Sequence, residues 1–125
     1  MTRVLIVDDQ AVFRQQLGSV LTFAGLEVAG EAASIREALD LLPDLHADLA
    51  IVDVELPEIN GIEGTALLKS AFPTLSVILV SAYSDQSELF EQAAARVGAM
   101  EFISKDRLDL EVIQSWLHFQ EPAGG

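Results

Sequence analysis

Leu49-Ala50-Ile51-Val52-Asp53, read beside Val4-Leu5-Ile6-Val7-Asp8-Asp9, decides the fold of this chain. Each segment is an unbroken apolar run that ends on carboxylates. A strand with one wet face would alternate apolar and polar residues, whereas a continuous Val/Ile/Leu run reads as a strand buried on both faces of a parallel sheet. Val77-Ile78-Leu79-Val80 repeats the pattern and is followed by Ser81. Val28–Ala32 and Met100–Ile103 are shorter and more mixed, as expected nearer a sheet edge.

Helix-like stretches separate these runs. Ala11–Phe23 carries Phe13, Leu17, Val20 and Leu21 at helical spacing, with Gly25 as its stop. Ser34-Ile35-Arg36-Glu37 is a capping box that opens a helix to about Leu42, which Pro43 is expected to end. Ile62–Phe72 follows Asn60-Gly61 and stops at Pro73. A fourth helix is expected from Ser84 or Asp85 to Gly98. A fifth is expected from an Asp106 cap through Leu108, Val112, Ile113 and Leu117, fading at Glu121.

Strand and helix therefore alternate five times, with no internal linker or repeat. Such units wind right-handed into a doubly wound α/β sheet, a (βα)5 fold with strand order 2-1-3-4-5. The 125 residues suit one domain, expected over residues 1–119 with a tail or linker start at 120–125. Ligands of such sheets bind outside the carboxyl ends of the strands where the winding reverses, in this case the first and third.

Composition narrows the function classes. No apolar run approaches the roughly 20 residues of a membrane span, and no cleavage-site pattern follows the N-terminus. The absence of cysteine removes disulfide and thiolate chemistry and fits a cytoplasmic protein. Twenty acidic against seven basic residues give a net charge of −13, which repels phosphate backbones, so the chain itself should bind no nucleic acid.

Acidity as mere solubility does not explain where the acids fall. Asp8 and Asp9 follow the first strand, Asp53 the third, Ser81 the fourth, and Lys105 lies two residues past Ile103. One Asp after a strand reads well as a helix cap, but five polar groups at one sheet edge do not reduce to caps. Two ionised carboxylates about 4 Å apart repel by roughly 1 kcal/mol in water and about 4 near a protein surface. Such a cluster must raise a pKa, bind a cation, or both. Oxygen ligands without His or Cys favour Mg²⁺ or Ca²⁺, and two or three converging side chains suit Mg²⁺ shared with a phosphate. Lys105 is the expected partner for an anion and Ser81 a neutral donor to it. His46 and His118 lack ligand-like neighbours and read as surface residues, while Trp116 and Phe119 read as packing.

Leu5-Ile6-Val7-Asp8-Asp9, Val52-Asp53, Leu56-Pro57, Asn60-Gly61, Ser81-Ala82 and Lys105 together resemble the receiver domain of two-component response regulators. The stretches Asp8–Arg14, Gly25–Ala32 and Ser81-Ala82-Tyr83 resemble more narrowly the subfamily with a C-terminal LuxR-type helix-turn-helix, with Gln10-Ala11 standing where that subfamily often has His-Pro. The resemblance implies a phosphorylation-dependent switch rather than an enzyme, phosphorylated by a sensor histidine kinase or phosphotransfer protein and serving a transcription regulator. Asp53 would be the phosphoacceptor, needing no base because an exposed Asp is ionised at pH 7. Asp8, Asp9, Asp53 and the main-chain carbonyl of Glu55 would hold Mg²⁺ or Mn²⁺, and Lys105 and Ser81 would take phosphoryl oxygens. Pro57 and Gly61 would shape the loop after Asp53. Phe102 would turn inward on activation, and Glu55 and Tyr83 would set water access to the acyl phosphate. A homodimer is compatible with an exposed face on the last helix.

Three other readings compete. A haloacid dehalogenase-type phosphatase wants a second Asp two residues past the nucleophile, and Glu55 stands there. A flavin protein of the same winding wants small hydroxyl and Gly residues after the first strand, where this chain has Asp8-Asp9-Gln10. A pseudo-receiver would keep the fold without phosphorylation.

Overall fold

The computed structural model describes residues 1–82 and 87–117. Five parallel strands, β1 (Arg3–Val7), β2 (Glu27–Ala32), β3 (Leu49–Asp53), β4 (Ser76–Ser81) and β5 (Glu101–Ser104), form one sheet in the order β2-β1-β3-β4-β5. Helices α1 (Ala11–Ala24), α2 (Ile35–Leu45), α3 (Gly61–Ala71), α4 (Ser87–Arg96) and α5 (Leu110–Gln114) connect or follow them. The expected architecture and strand order are those observed.

The unbroken apolar runs have a direct cause. Along β1, β3 and β4 alternate residues serve two cores, one on each face. Val4, Ile6, Leu49, Ile51, Ile78 and Val80 pack against Leu17 and Leu21 of α1 and Ile113 of α5, together with Trp116. Leu5, Val7, Ala50, Val52, Val77 and Leu79 pack against Ile35 and Leu42 of α2, Leu68 of α3 and Ala94 of α4. With both faces covered, the middle positions of these strands are all buried and all apolar, and polar residues fall only at the strand ends.

Helix ends follow local chemistry where the chain supplies it. Gly25 ends α1 at φ 99°, and the backbone N–H groups of Gly25 and Leu26 return to Thr22 and Leu21. The Ser34 hydroxyl accepts from the Glu37 amide at 3.1 Å, as the capping box requires. Asn60 caps α3 by accepting from the amides of Ile62 and Glu63, both at 2.9 Å.

Two expected boundaries are corrected. Pro43 does not end α2, which runs on to Leu45 and closes at His46 with φ 52°. A proline removes one helical hydrogen bond, but two tertiary contacts hold the last turn. The Arg3 guanidinium donates to the Leu45 carbonyl at 3.0 and 3.2 Å, and the Leu45 side chain packs against Gly30. Asp106 does not cap the last helix either. It belongs to a 3₁₀ turn, Lys105–Arg107, where it accepts from Ser104, and Asp109 caps α5 by accepting from the Val112 amide at 2.9 Å. The α4 onset expected at Ser84 or Asp85, and His118 and Phe119, lie outside the described residues.

The strand register sets the height of each site residue. Val7 pairs with Val52, so Asp8 stands level with Asp53. Asp53 pairs with Val80, so Ser81 lies one residue further along, and Ser81 pairs with Ser104, which puts Lys105 one step beyond.

Candidate functional site

Asp8 closes β1 and is 1% exposed. Its amide donates to the Ala32 carbonyl at 3.0 Å, and its own carbonyl accepts from the Arg14 guanidinium at 2.5 Å. Glu31 holds that guanidinium from the far side at 3.0 Å. The two Asp8 carboxylate oxygens are both engaged: Oδ1 accepts from the Gln10 amide at 2.8 Å and Oδ2 from the Lys105 ammonium at 2.7 Å. Asp9, next in the chain, is exposed.

Asp53 is buried, at 4% exposure, which corrects the expectation of an exposed nucleophile. The reason is the loop that follows. Val54 donates to Val80, and the chain then folds back until the Gly61 amide donates to the Val54 carbonyl at 2.8 Å. Only glycine fits at this approach, because a Cβ on Gly61 would lie 2.1 Å from the Asp53 carbonyl oxygen. Within the loop the Ile59 amide bonds the Pro57 carbonyl at 2.8 Å across Glu58, whose φ of 64° makes this a tight γ-turn. Pro57 and Gly61 thus occupy the two bends of the loop.

Burial has an electrostatic consequence. The surroundings together raise the Asp53 pKa from 3.8 to about 6: desolvation raises it most, the Lys105 ammonium lowers it, and the charges of Asp8 and Glu55 raise it. The Glu55 amide favours the ionised form by donating to Asp53 Oδ1 at 3.2 Å. At pH 7 the carboxylate remains mostly ionised, so a base is still unnecessary.

Lys105 reaches back from the 3₁₀ turn after β5 and lies between the two buried acids, 2.7 Å from Asp8 and 3.5 Å from Asp53. Its ammonium also stands 4.0 Å from the centroid of the Phe13 ring. The Ser81 hydroxyl donates to Glu55 Oε1 at 2.8 Å, while Glu55 Oε2 is buried with no hydrogen-bond partner among the described residues. Phe102 is half-buried and packs on Phe90 of α4, with ring centroids 5.6 Å apart. Tyr83 lies outside the described residues.

The fold therefore brings together Asp8, Asp9, Asp53, Glu55, Ser81 and Lys105, and leaves Phe102 on the α4 side of β5. Three residues of the site do not stand out in the sequence: Phe13 under Lys105, and the Arg14–Glu31 pair that fixes the Asp8 backbone. Phe13 carries one usable signal, since the first turn of a helix that opens directly after the acidic pair must border the crevice.

A carboxylate oxygen from each of Asp8, Asp9 and Asp53 lies within 4.8 Å of the others. All three carboxylates offer hard oxygen donors, two are buried, and Lys105 already neutralises part of their charge. This donor set fits a small hard divalent cation and no soft one.

Known proteins agree with this geometry. Residues 4–116 match the family model described as the response regulator receiver domain. The chemotaxis protein CheY of Thermotoga maritima is 38% identical over 113 residues, covering 90% of this chain and 92% of that protein. The transcriptional regulatory protein LnrK of Bacillus subtilis is 32% identical over 107 residues, and the match covers 85% of this chain but 48% of LnrK. Among solved structures, a LuxR-family two-component response regulator from Aurantimonas sp. SI85-9A1 superposes with a TM-score of 0.83 at 26% identity, over 91% of this chain and 81% of that one. Sheet order, the acidic crevice and these likenesses converge, and the chain belongs to the response regulator receiver domain family.

Proposed function

We propose that this receiver takes one phosphoryl group onto Asp53 from the phosphohistidine of a sensor histidine kinase or phosphotransfer protein. The observation that carries the reading is the buried Asp8–Lys105–Asp53 arrangement beside exposed Asp9, at the carboxyl ends of β1 and β3. An Asp53 carboxylate oxygen attacks phosphorus, the phosphorus–nitrogen bond breaks, and the donor histidine leaves, giving an acyl phosphate. Asp8, Asp9, Asp53 and the Glu55 main-chain carbonyl are assigned to Mg²⁺ or Mn²⁺, which when bound offsets charge on the phosphoryl oxygens. Lys105 exchanges its Asp53 contact for a phosphoryl oxygen, and Ser81 exchanges Glu55 for another.

That second exchange is the switch. Ser81 leaving Glu55 opens space behind β4 into which Phe102 turns, shifting an equilibrium at the face of α4, β5 and α5. Glu55 and Tyr83 are assigned to water access at the acyl phosphate. Pro57 and Gly61 hold the loop that buries Asp53. Residues 1–119 are assigned to the receiver, with 120–125 as a tail or linker.

The output is assigned to transcription, in a regulator of the LuxR-type subfamily acting in the cytoplasm, with a second copy of the chain as an additional partner. The Asp8–Arg14, Gly25–Ala32 and Ser81–Tyr83 resemblances and the likeness to LnrK support this. Among the described residues no helix is long and apolar enough to cross a membrane.

Incubation with acetyl phosphate and MgCl₂, followed by intact-mass measurement, tests the assignment. One phosphoryl adduct is expected on the wild type and none on Asp53→Asn or when EDTA replaces Mg²⁺. An adduct that survives Asp53→Asn would overturn it.

A further inference from the structure

Lys105 has three partners in the site, and the proposed phosphorylation removes two of them. Its ammonium is 2.7 Å from Asp8 Oδ2 and 3.5 Å from Asp53 Oδ2, and it lies 4.0 Å above the Phe13 ring. Phosphotransfer needs Asp8 for a divalent cation and Asp53 for the phosphoryl group. An ammonium that gives up Asp8 beside a new double positive charge is repelled toward water. The Lys105 side chain is 15% exposed, so the ring acts on a cation already largely stripped of solvent, where cation–π attraction is strongest.

We propose that Phe13 is a positioning residue that keeps the Lys105 ammonium at the site while its carboxylate partners are reassigned. The ring suits this task for physical reasons. It carries no net charge, so it neither competes with Asp8 for the cation nor repels a phosphoryl group. Its attraction depends weakly on lateral position, so Lys105 can slide from Asp8 toward a phosphoryl oxygen without losing it. Phe13 itself is fixed, being partly buried against the α1–α5 core and one residue before Arg14, which binds the Asp8 carbonyl. The inference rests on the phosphoacceptor reading for its purpose, though not for the contact itself.

The chain contains only two lysines, Lys69 and Lys105, so lysine labelled with ¹³C at Cε gives two signals, with Lys69 as internal reference. In the wild type the Lys105 Hε protons should be shifted upfield of Lys69 by the ring, both without metal and in saturating MgCl₂. Phe13→Tyr should keep that shift, and Phe13→Leu should lose it. At saturating Mg²⁺, acetyl phosphate should label Phe13→Leu about five- to tenfold more slowly than wild type, and Phe13→Tyr within about twofold. In a Lys105→Met background Phe13→Leu should have no further effect, which a merely structural role of the ring would not produce. Cooperative urea unfolding verifies that each variant is folded, and Phe13→Met serves as a second ring-free variant should leucine disrupt the core.

Loss of the upfield shift when Mg²⁺ is added to the wild type would overturn the proposal. So would equal labelling rates for wild type and the ring-free variants. A wild type that takes no phosphoryl group while its Lys105 shift persists would instead sink the phosphoacceptor reading, and the Phe13 contact would lose its purpose with it.

Discussion

Gly61→Ala is expected to destabilise the domain by about 2–4 kcal/mol, combining overpacking with a weakened backbone hydrogen bond. The added Cβ would lie 2.1 Å from the Asp53 carbonyl oxygen, 2.8 Å from its carbonyl carbon and 2.9 Å from the Val54 Cα. All three atoms are backbone, so no side-chain rotation relieves the clash. The loop must open, stretching the Gly61–Val54 hydrogen bond and exposing Asp53. Gly18→Ala provides the opposite case on α1. There the nearest side-chain atoms are 3.8 and 3.9 Å away, ordinary contact distances. Helix propensity alone should then stabilise that variant by roughly 0.5–1 kcal/mol. Urea unfolding at constant m-value measures both. A Gly61→Ala variant within about 0.5 kcal/mol of wild type would show that the loop does not abut Asp53.

Asp53→Asn should make the metal-free domain more stable, by up to about 3 kcal/mol above pH 7, the equivalent of a two-unit pKa shift. The sign follows from burial. The Asp53 pKa rises from 3.8 to about 6 on folding, so its neutral form is the one the fold prefers. Wild-type stability from this group is full below pH 3.8 and is lost as pH rises through about 6. Asparagine does not titrate, so the difference between the two proteins should be near zero in the most acidic range and level off above pH 7. Thermal melts from pH 4 to 8 in EDTA measure it. Millimolar MgCl₂ should narrow the gap or reverse it, because wild type recovers in cation binding what it loses in carboxylate repulsion. A flat difference across the pH range would refute the burial argument.

The parts of the fold visible in the sequence were those with one dominant cause. Strands β1, β3 and β4 could be read because double-sided burial leaves no polar interruption. Their order followed from handed winding, and the carboxylates stood out because they broke apolar runs at a common edge. The misread boundaries had distant causes. Proline chemistry alone would stop α2 at Pro43, but Arg3, 42 residues away, binds the Leu45 carbonyl and the helix continues. The cap expected at Asp106 falls instead at Asp109, because the chain makes a 3₁₀ turn after Ser104 before the helix begins. The burial of Asp53 depends on a loop whose return is fixed by Gly61, and the Phe13–Lys105 contact joins residues 92 positions apart. Neither pattern nor propensity carries information of that range.

The stepped pairing of the strands has an evolutionary corollary. Asp53 opposes Val80 and Ser81 opposes Ser104, so each polar group depends on a count of residues from the amino end of its strand. Removing one residue inside β4 would carry the Ser81 hydroxyl, and each core residue between the deletion and Ser81, to the opposite face of the sheet. Descendants of this chain can exchange surface side chains away from the acidic crevice and can lengthen the turns at the far end of the sheet. Insertions and deletions within its central strands are the changes this architecture cannot absorb.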